Sequence, residues 1–195
     1  MNRRDFLNTT MTGVAGTATA SFLGLPALAQ EPAPASIVAT VLKAMTRSLD
    51  INGRAATVYG LLQRNGTPGL TMNAGDNFDV ALHNELPDPT LIHWHGLLPP
   101  WPMDGVPDTP APLLKAGEAR GYLFRVADGG TYWMHAHTLQ EQNLLAAPLI
   151  VRSAADAEVD EQEIVILLHD FSFTPAAELL AHLKSASGGM AGTAE

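Results

Sequence analysis

Two short stretches of this sequence carry the residue types that bind transition metals. They are Leu91-Ile92-His93-Trp94-His95-Gly96 and, about forty residues later, Tyr132-Trp133-Met134-His135-Ala136-His137. Neutral imidazole is the commonest protein ligand for metals and suits copper, zinc, iron or nickel. Each His-x-His sits in an apolar, aromatic run that reads as a β-strand. Strand side chains alternate faces, so His93 and His95 point one way, as do His135 and His137, while Trp94, Met134 and Ala136 fall on the packed face. If the two strands come together, four imidazoles line one surface. The competing reading is a structural set of rings that satisfy hydrogen bonds. Two His-x-His pairs in a chain with only 7 histidines favour the metal.

These strands need a scaffold, and from Ile37 onward the chain reads as nearly all β. Ile37–Leu42 and Ala55–Leu62 are strand candidates, with Asn52-Gly53 a turn signal between them. Arg64–Gly69 is a loop, Leu70–Asn73 a short strand, Ala74-Gly75-Asp76 a turn, and Phe78–Leu82 alternates cleanly. Short strands with frequent Gly and Pro turns point to an antiparallel sandwich or barrel. His83 reads as a surface residue in a polar turn. Trp94, Tyr132 and Trp133 read as core, and Trp101, in Pro99-Pro100-Trp101-Pro102, as a loop residue open to solvent. The scattered methionines form no copper(I)-binding stretch.

Residues 1–29 read as an export signal. Arg3-Arg4 followed by Phe6-Leu7 fits the twin-arginine pattern, a Thr/Ala/Gly-rich stretch follows, and Ala27-Leu28-Ala29 offers a cleavage site. The stretch is too polar and short for a confident membrane span, so the expected destination is the periplasm or the cell exterior, without a membrane anchor. Net charge is −9, and losing Arg3, Arg4 and Asp5 makes the remainder one unit more negative. That acidity argues against nucleic acid and anionic membrane surfaces as partners. The chain has no cysteine. This removes disulfides, iron–sulfur clusters, zinc knuckles and any blue-copper centre, which needs a Cys sulfur.

After Val151 comes an acidic joint, Ser153–Glu163, and then Ile164–Leu168, which reads as a buried strand. Thr174 and Pro175 suit an N-cap and a first helical position, with a helix continuing over Ala176–Lys184 on a stripe of Leu179, Leu180 and Leu183. The Ser/Gly/Ala stretch Ser185–Glu195 gives no reason to fold. His169 and His182 are expected to be structural or exposed.

Leu91–Leu97, Met103-Asp104-Gly105-Val106-Pro107 and Gly130–His137, in this order and spacing, resemble the first cupredoxin domain of a multicopper oxidase of the laccase-like, copper-resistance type. The resemblance runs from about Ile37 to Val151, supported by Asn84–Pro87 and Gln140-Glu141-Gln142. It implies a Greek-key β-sandwich over 37–153, preceded by a linker over 30–36. A partial second cupredoxin domain with a disordered tail is expected over 154–195. It further implies His93 as a ligand of a type 2 copper, and His95, His135 and His137 as ligands of paired type 3 coppers. Asp104 would be the acidic residue that assists proton delivery; its plainer reading is a turn residue before Gly105. Met134 stands where the family usually has Tyr, Ala136 where it has Ser, and Thr138–Gln142 is one residue shorter than the common pattern.

The family's last domain supplies four further histidines and the type 1 copper site, motifs absent from these 195 residues. The expectations are therefore three. The chain is the trinuclear-cluster half of an oxidase that uses dioxygen and a reducing substrate, as a fragment, a truncated product or a module completed by a second chain. Alternatively it is a periplasmic copper-binding module without turnover. The third possibility is a mononuclear zinc or copper site built from three of the four histidines.

Overall fold

A computed structural model describes residues 39–107 and 111–188. The export signal over 1–29, the linker over 30–36, the first two residues of the expected opening strand and residues 189–195 of the tail lie outside the described residues. Eight strands follow in chain order: β1 (Thr40–Ile51), β2 (Arg54–Gln63), β3 (Leu70–Asn73), β4 (Asn77–Asn84), β5 (Ile92–His95), β6 (Ala119–Arg125), β7 (Gly130–Ala136) and β8 (Ala146–Arg152). A single described α-helix, α1 (Ala176–Gly188), closes the order. No described helix is long and apolar enough to cross a membrane.

The strands form two four-stranded sheets, ordered β2-β1-β4-β6 and β3-β8-β7-β5. The sandwich is as expected, but β1–β4 and β3–β8 pair in parallel. The reason is topological: the chain leaves the first sheet after β2, forms β3 in the second, and returns as β4 running in the same direction as β1. At the β1–β2 hairpin, Asn52 and Gly53 both take positive φ, 54° and 79°. Such a two-residue turn matches the strands' twist, and Asp50 Oδ1 accepts the Gly53 N–H at 2.8 Å.

Alternation along β4 buries Phe78, Val80 and Leu82 between the sheets. From the other sheet Trp94, Met134 and Leu149 meet them, all fully buried. Trp94 is the pivot: its ring lies edge-on to Phe78 at 4.7 Å and to Tyr122 at 4.9 Å, and Phe78 stacks on Phe124. His83 differs from its expected turn: it is partly buried on β4, in register with Lys43 and Ala119.

Beyond β8 two expectations change. Ile164–Leu168 forms no strand, and Ile164, Ile166 and Leu168 are 71%, 75% and 86% exposed. A strand exists only by pairing, and these residues pair with no described strand. The chain folds back just after it, where Phe171 packs against Ala56, Val58 and Leu144 and the Arg54 guanidinium lies 3.9 Å from the Phe173 ring centre. Helix α1 begins at Ala176, one residue later than expected, with the Pro175 carbonyl accepting from Glu178 and Leu179. It also runs on through Ser185–Gly188, part of the expected tail. Ser185 Oγ donates to the His182 carbonyl at 2.8 Å, a local bond that helix-borne serines favour.

Candidate metal centre

β5 is the edge strand of its sheet and pairs antiparallel with β7, placing His93 opposite His135 and His95 opposite Trp133. Residues directly opposite share a face. The ladder extends one step further, since the His137 N–H donates to the Leu91 carbonyl at 2.9 Å. Trp94, Met134 and Ala136 are buried on the other face. The four rings therefore gather. Centroids of His93 lie 5.4, 5.7 and 5.0 Å from those of His95, His135 and His137. The pairs His95–His135 and His135–His137 are separated by 5.4 and 4.9 Å.

Trp133 is not a core residue. It stacks flat on His135, with centroids 4.1 Å apart and planes 11° apart, and lies 5.3 Å from His95. Its position two residues before His135 carries the signal, because equal parity on a strand means a shared face. The cluster is graded in exposure: His135 is buried, His93 partly so, and His95 and His137 open to solvent. His169 and His182 lie exposed outside it, and Trp101 is exposed as expected.

The loop after β5 is clamped to the strand from both sides. From the core, Trp94 Nε1–H donates to the Met103 carbonyl at 3.0 Å. From the site, His93 Nδ1–H donates to the Asp104 carbonyl at 2.8 Å, and the Asp104 carboxylate lies 3.3 Å from the same nitrogen. That bond leaves the His93 Nε2 lone pair free, the usual way an outer partner sets a ligand's tautomer. Just after the clamped residues Gly105 takes φ 73°, and a Cβ there would lie 1.8 Å from the Ile92 carbonyl oxygen. The Met-Asp-Gly motif thus lies directly on the strand that bears His93 and His95.

His95 Nδ1 and His135 Nε2 face each other at 3.3 Å. Two imidazole nitrogens on one four-coordinate ion, with bonds of about 2.0–2.1 Å, stand at about this separation. His135 Nδ1 is buried without a hydrogen-bond partner, 3.4 Å from Glu141 Oε1. Burial pushes the His135 imidazole below its ordinary pKa; Glu141 works against this, and His137 and His93 add to it. Burial also lowers His137, with His93 the next cause. Both therefore stay neutral, and able to ligate, to lower pH than a free imidazole. Among the described residues no three side chains converge on one point as a ready single-ion site. The donor set, imidazoles with a carboxylate alongside, fits copper.

A family model described as multicopper oxidase matches residues 45–156. Copper resistance protein A of Escherichia coli is 32% identical over 197 residues, covering 95% of this chain and 32% of that protein. Multicopper oxidase MmcO of Mycobacterium tuberculosis is 33% identical over 147 residues, covering 74% of this chain and 29% of that protein. Among solved structures, a multicopper oxidase from Pseudomonas thermotolerans superposes with a TM-score of 0.53 at 32% identity, over 58% of this chain and 29% of that one. The chain spans about a third or less of the length of the curated relatives it matches.

Proposed function

Because the chain belongs to the multicopper oxidase family, we propose that His93, His95, His135 and His137 are the imidazoles it gives to a three-copper cluster. His93 serves the type 2 ion and the other three serve the type 3 pair. Copper so held supplies, in a complete enzyme, the reduction of dioxygen to water at the expense of a reducing substrate. The observation that carries the reading is the β5–β7 register, which sets His93 opposite His135 and brings His95 Nδ1 to 3.3 Å from His135 Nε2. The Asp104 carboxylate, 3.3 Å from His93 Nδ1, holds and passes on the protons that such a reduction consumes. Residues 37–153 are the first cupredoxin domain, and 154–195 open a second. The other four histidines and the type 1 copper cysteine of a complete enzyme are not among these 195 residues. Arg3-Arg4 and the Ala27-Leu28-Ala29 site support export to the periplasm or beyond.

A second reading, copper binding without turnover, is favoured by one observation: the 195 residues contain no cysteine and so no type 1 site of their own. Both readings share an expected result. Metal analysis after dialysis of the chain finds fewer than three tightly held coppers per monomer, and replacing His95 and His135 by alanine removes them. Three tightly held coppers on the isolated monomer would contradict the half-site. The two readings separate when a polypeptide bearing the remaining ligands is added, since only the cluster half then gains oxygen uptake.

The isolated, copper-loaded chain is also expected to show no intense blue absorption, because the thiolate-to-copper band needs a cysteine. It should oxidise a phenolic dye no faster than a variant lacking all four histidines. Oxidation well above that control, with oxygen uptake and no partner added, would overturn the assignment of the electron entry point to another polypeptide.

A further inference from the structure

We infer that Glu141 is a positioning residue for His135, holding its Nδ1–H so that Nε2 is the nitrogen presented to the site. The inference rests on the proposed copper reading for its consequence, though not for its geometry.

His135 is the most deeply buried ring of the four, and its Nδ1 has no hydrogen-bond partner. Leaving a buried donor unpaired costs about 1–3 kcal/mol. A carboxylate acceptor, Glu141 Oε1, lies 3.4 Å away on a side chain that is 35% exposed; the Ala136 backbone is the other acceptor acting on this ring. Trp133 cannot do this work. Its flat stack fixes the plane of the His135 ring, but a ring flipped about its Cβ–Cγ bond stacks as well, with Nδ1 in the place of Cδ2 and Nε2 in the place of Cε1, and either tautomer stacks alike. Only a group at the rim distinguishes Nδ1 from Nε2.

The opposite strand supplies a parallel. His93, the Cα partner of His135, has its Nδ1–H held by the Asp104 carbonyl, at the end of the 3-10 turn Trp101–Met103. Glu141 sits in the 3-10 turn Leu139–Asn143 that follows the second pair. In both pairs the first histidine is followed by a tight turn that brings an oxygen to its Nδ1. The second turn is itself fixed. Thr138 Oγ1 accepts from the Gln140 N–H and donates to Gln140 Oε1, and Leu144 closes the turn at φ 64°, its N–H reaching the Gln140 and Glu141 carbonyls.

The test uses the full metal-free chain with ¹⁵N-labelled histidine, reading the His135 tautomer by long-range ¹H–¹⁵N correlation, followed by copper titration. The wild type and Glu141→Gln, whose amide oxygen still accepts, should carry the proton on Nδ1. Glu141→Leu, or Glu141→Ala where the leucine variant fails to fold, should lose that preference and bind copper about 10- to 100-fold more weakly. The glutamine variant should recover most of that affinity, which a merely structural role for the turn would not explain. A wild-type proton on Nε2, or a tautomer indifferent to Glu141→Leu and Glu141→Ala alike, overturns the inference. A chain that binds no copper yet shows a Glu141-dependent tautomer instead removes the cluster reading and leaves the positioning role standing.

Discussion

Gly105→Ala is expected to destabilise the chain by at least about 3 kcal/mol and to abolish copper binding by the histidines. Two costs add. A non-glycine residue held at positive φ costs about 1–2 kcal/mol, and Gly105 lies at φ 73°. The new methyl would also sit 1.8 Å from the Ile92 carbonyl oxygen and 3.1 Å from the His93 nitrogen. These are backbone atoms of a paired strand and cannot swing aside as a side chain could, so the loop must lift. Lifting it breaks the bonds from His93 and Trp94 to the Asp104 and Met103 carbonyls. Gly53→Ala is the control: φ is 79°, but nothing lies within 4 Å of the added Cβ. It should show the conformational cost alone, about 1–2 kcal/mol, and leave copper binding intact. Urea unfolding of both variants checks the difference. Equal losses would mean that the loop does not rest on β5 as described.

The second large effect is expected at Trp94, the fully buried ring between His93 and His95. Trp94→Ala removes the contacts with Phe78 and Tyr122 and should cost about 3–5 kcal/mol. That is a large fraction of the roughly 5–15 kcal/mol that holds a domain together. Trp94→Phe keeps much of the packing but leaves the Met103 carbonyl without its donor, at about 1–3 kcal/mol. It should therefore fold and yet loosen the His93 tether, with copper affinity falling further than stability. Guanidinium unfolding alongside copper titration separates the two. If Trp94→Ala matched wild type in both, the ring would be a passenger and not the pivot between the sheets.

The site was largely legible in the sequence because strand parity is local. His93, His95, His135 and His137 needed only the alternation of strands and a pairing, and both are present. The same rule placed Trp133 on the histidine face, where a general expectation about aromatic residues had put it in the core. Glu141 left no comparable trace, since its approach to His135 depends on a 3-10 turn capped by Thr138. Tertiary context also decided the two C-terminal differences. Ile164–Leu168 has the composition of a strand but pairs with none of the described ones, whereas Ser185–Gly188 lacks an apolar stripe yet prolongs a helix already nucleated. At the front of the chain, Asn52-Gly53 located the hairpin, while the crossing that makes β1 and β4 parallel leaves no mark in local pattern.

The pairings that complete the sandwich join distant parts of the chain, and this has a kinetic consequence. β1 and β2 meet through a two-residue turn, but β4 must reach back to β1 and β8 to β3. Closing such long loops costs entropy before any contact repays it, and topologies of this kind fold in milliseconds to seconds, not microseconds. His93 and His135, about forty residues apart, meet only when β7 docks on β5. Until then the nascent chain carries isolated His-x-His pairs, each able to hold a stray metal ion in a non-native pairing. Refolding with copper present from the start should therefore be slower than refolding followed by copper.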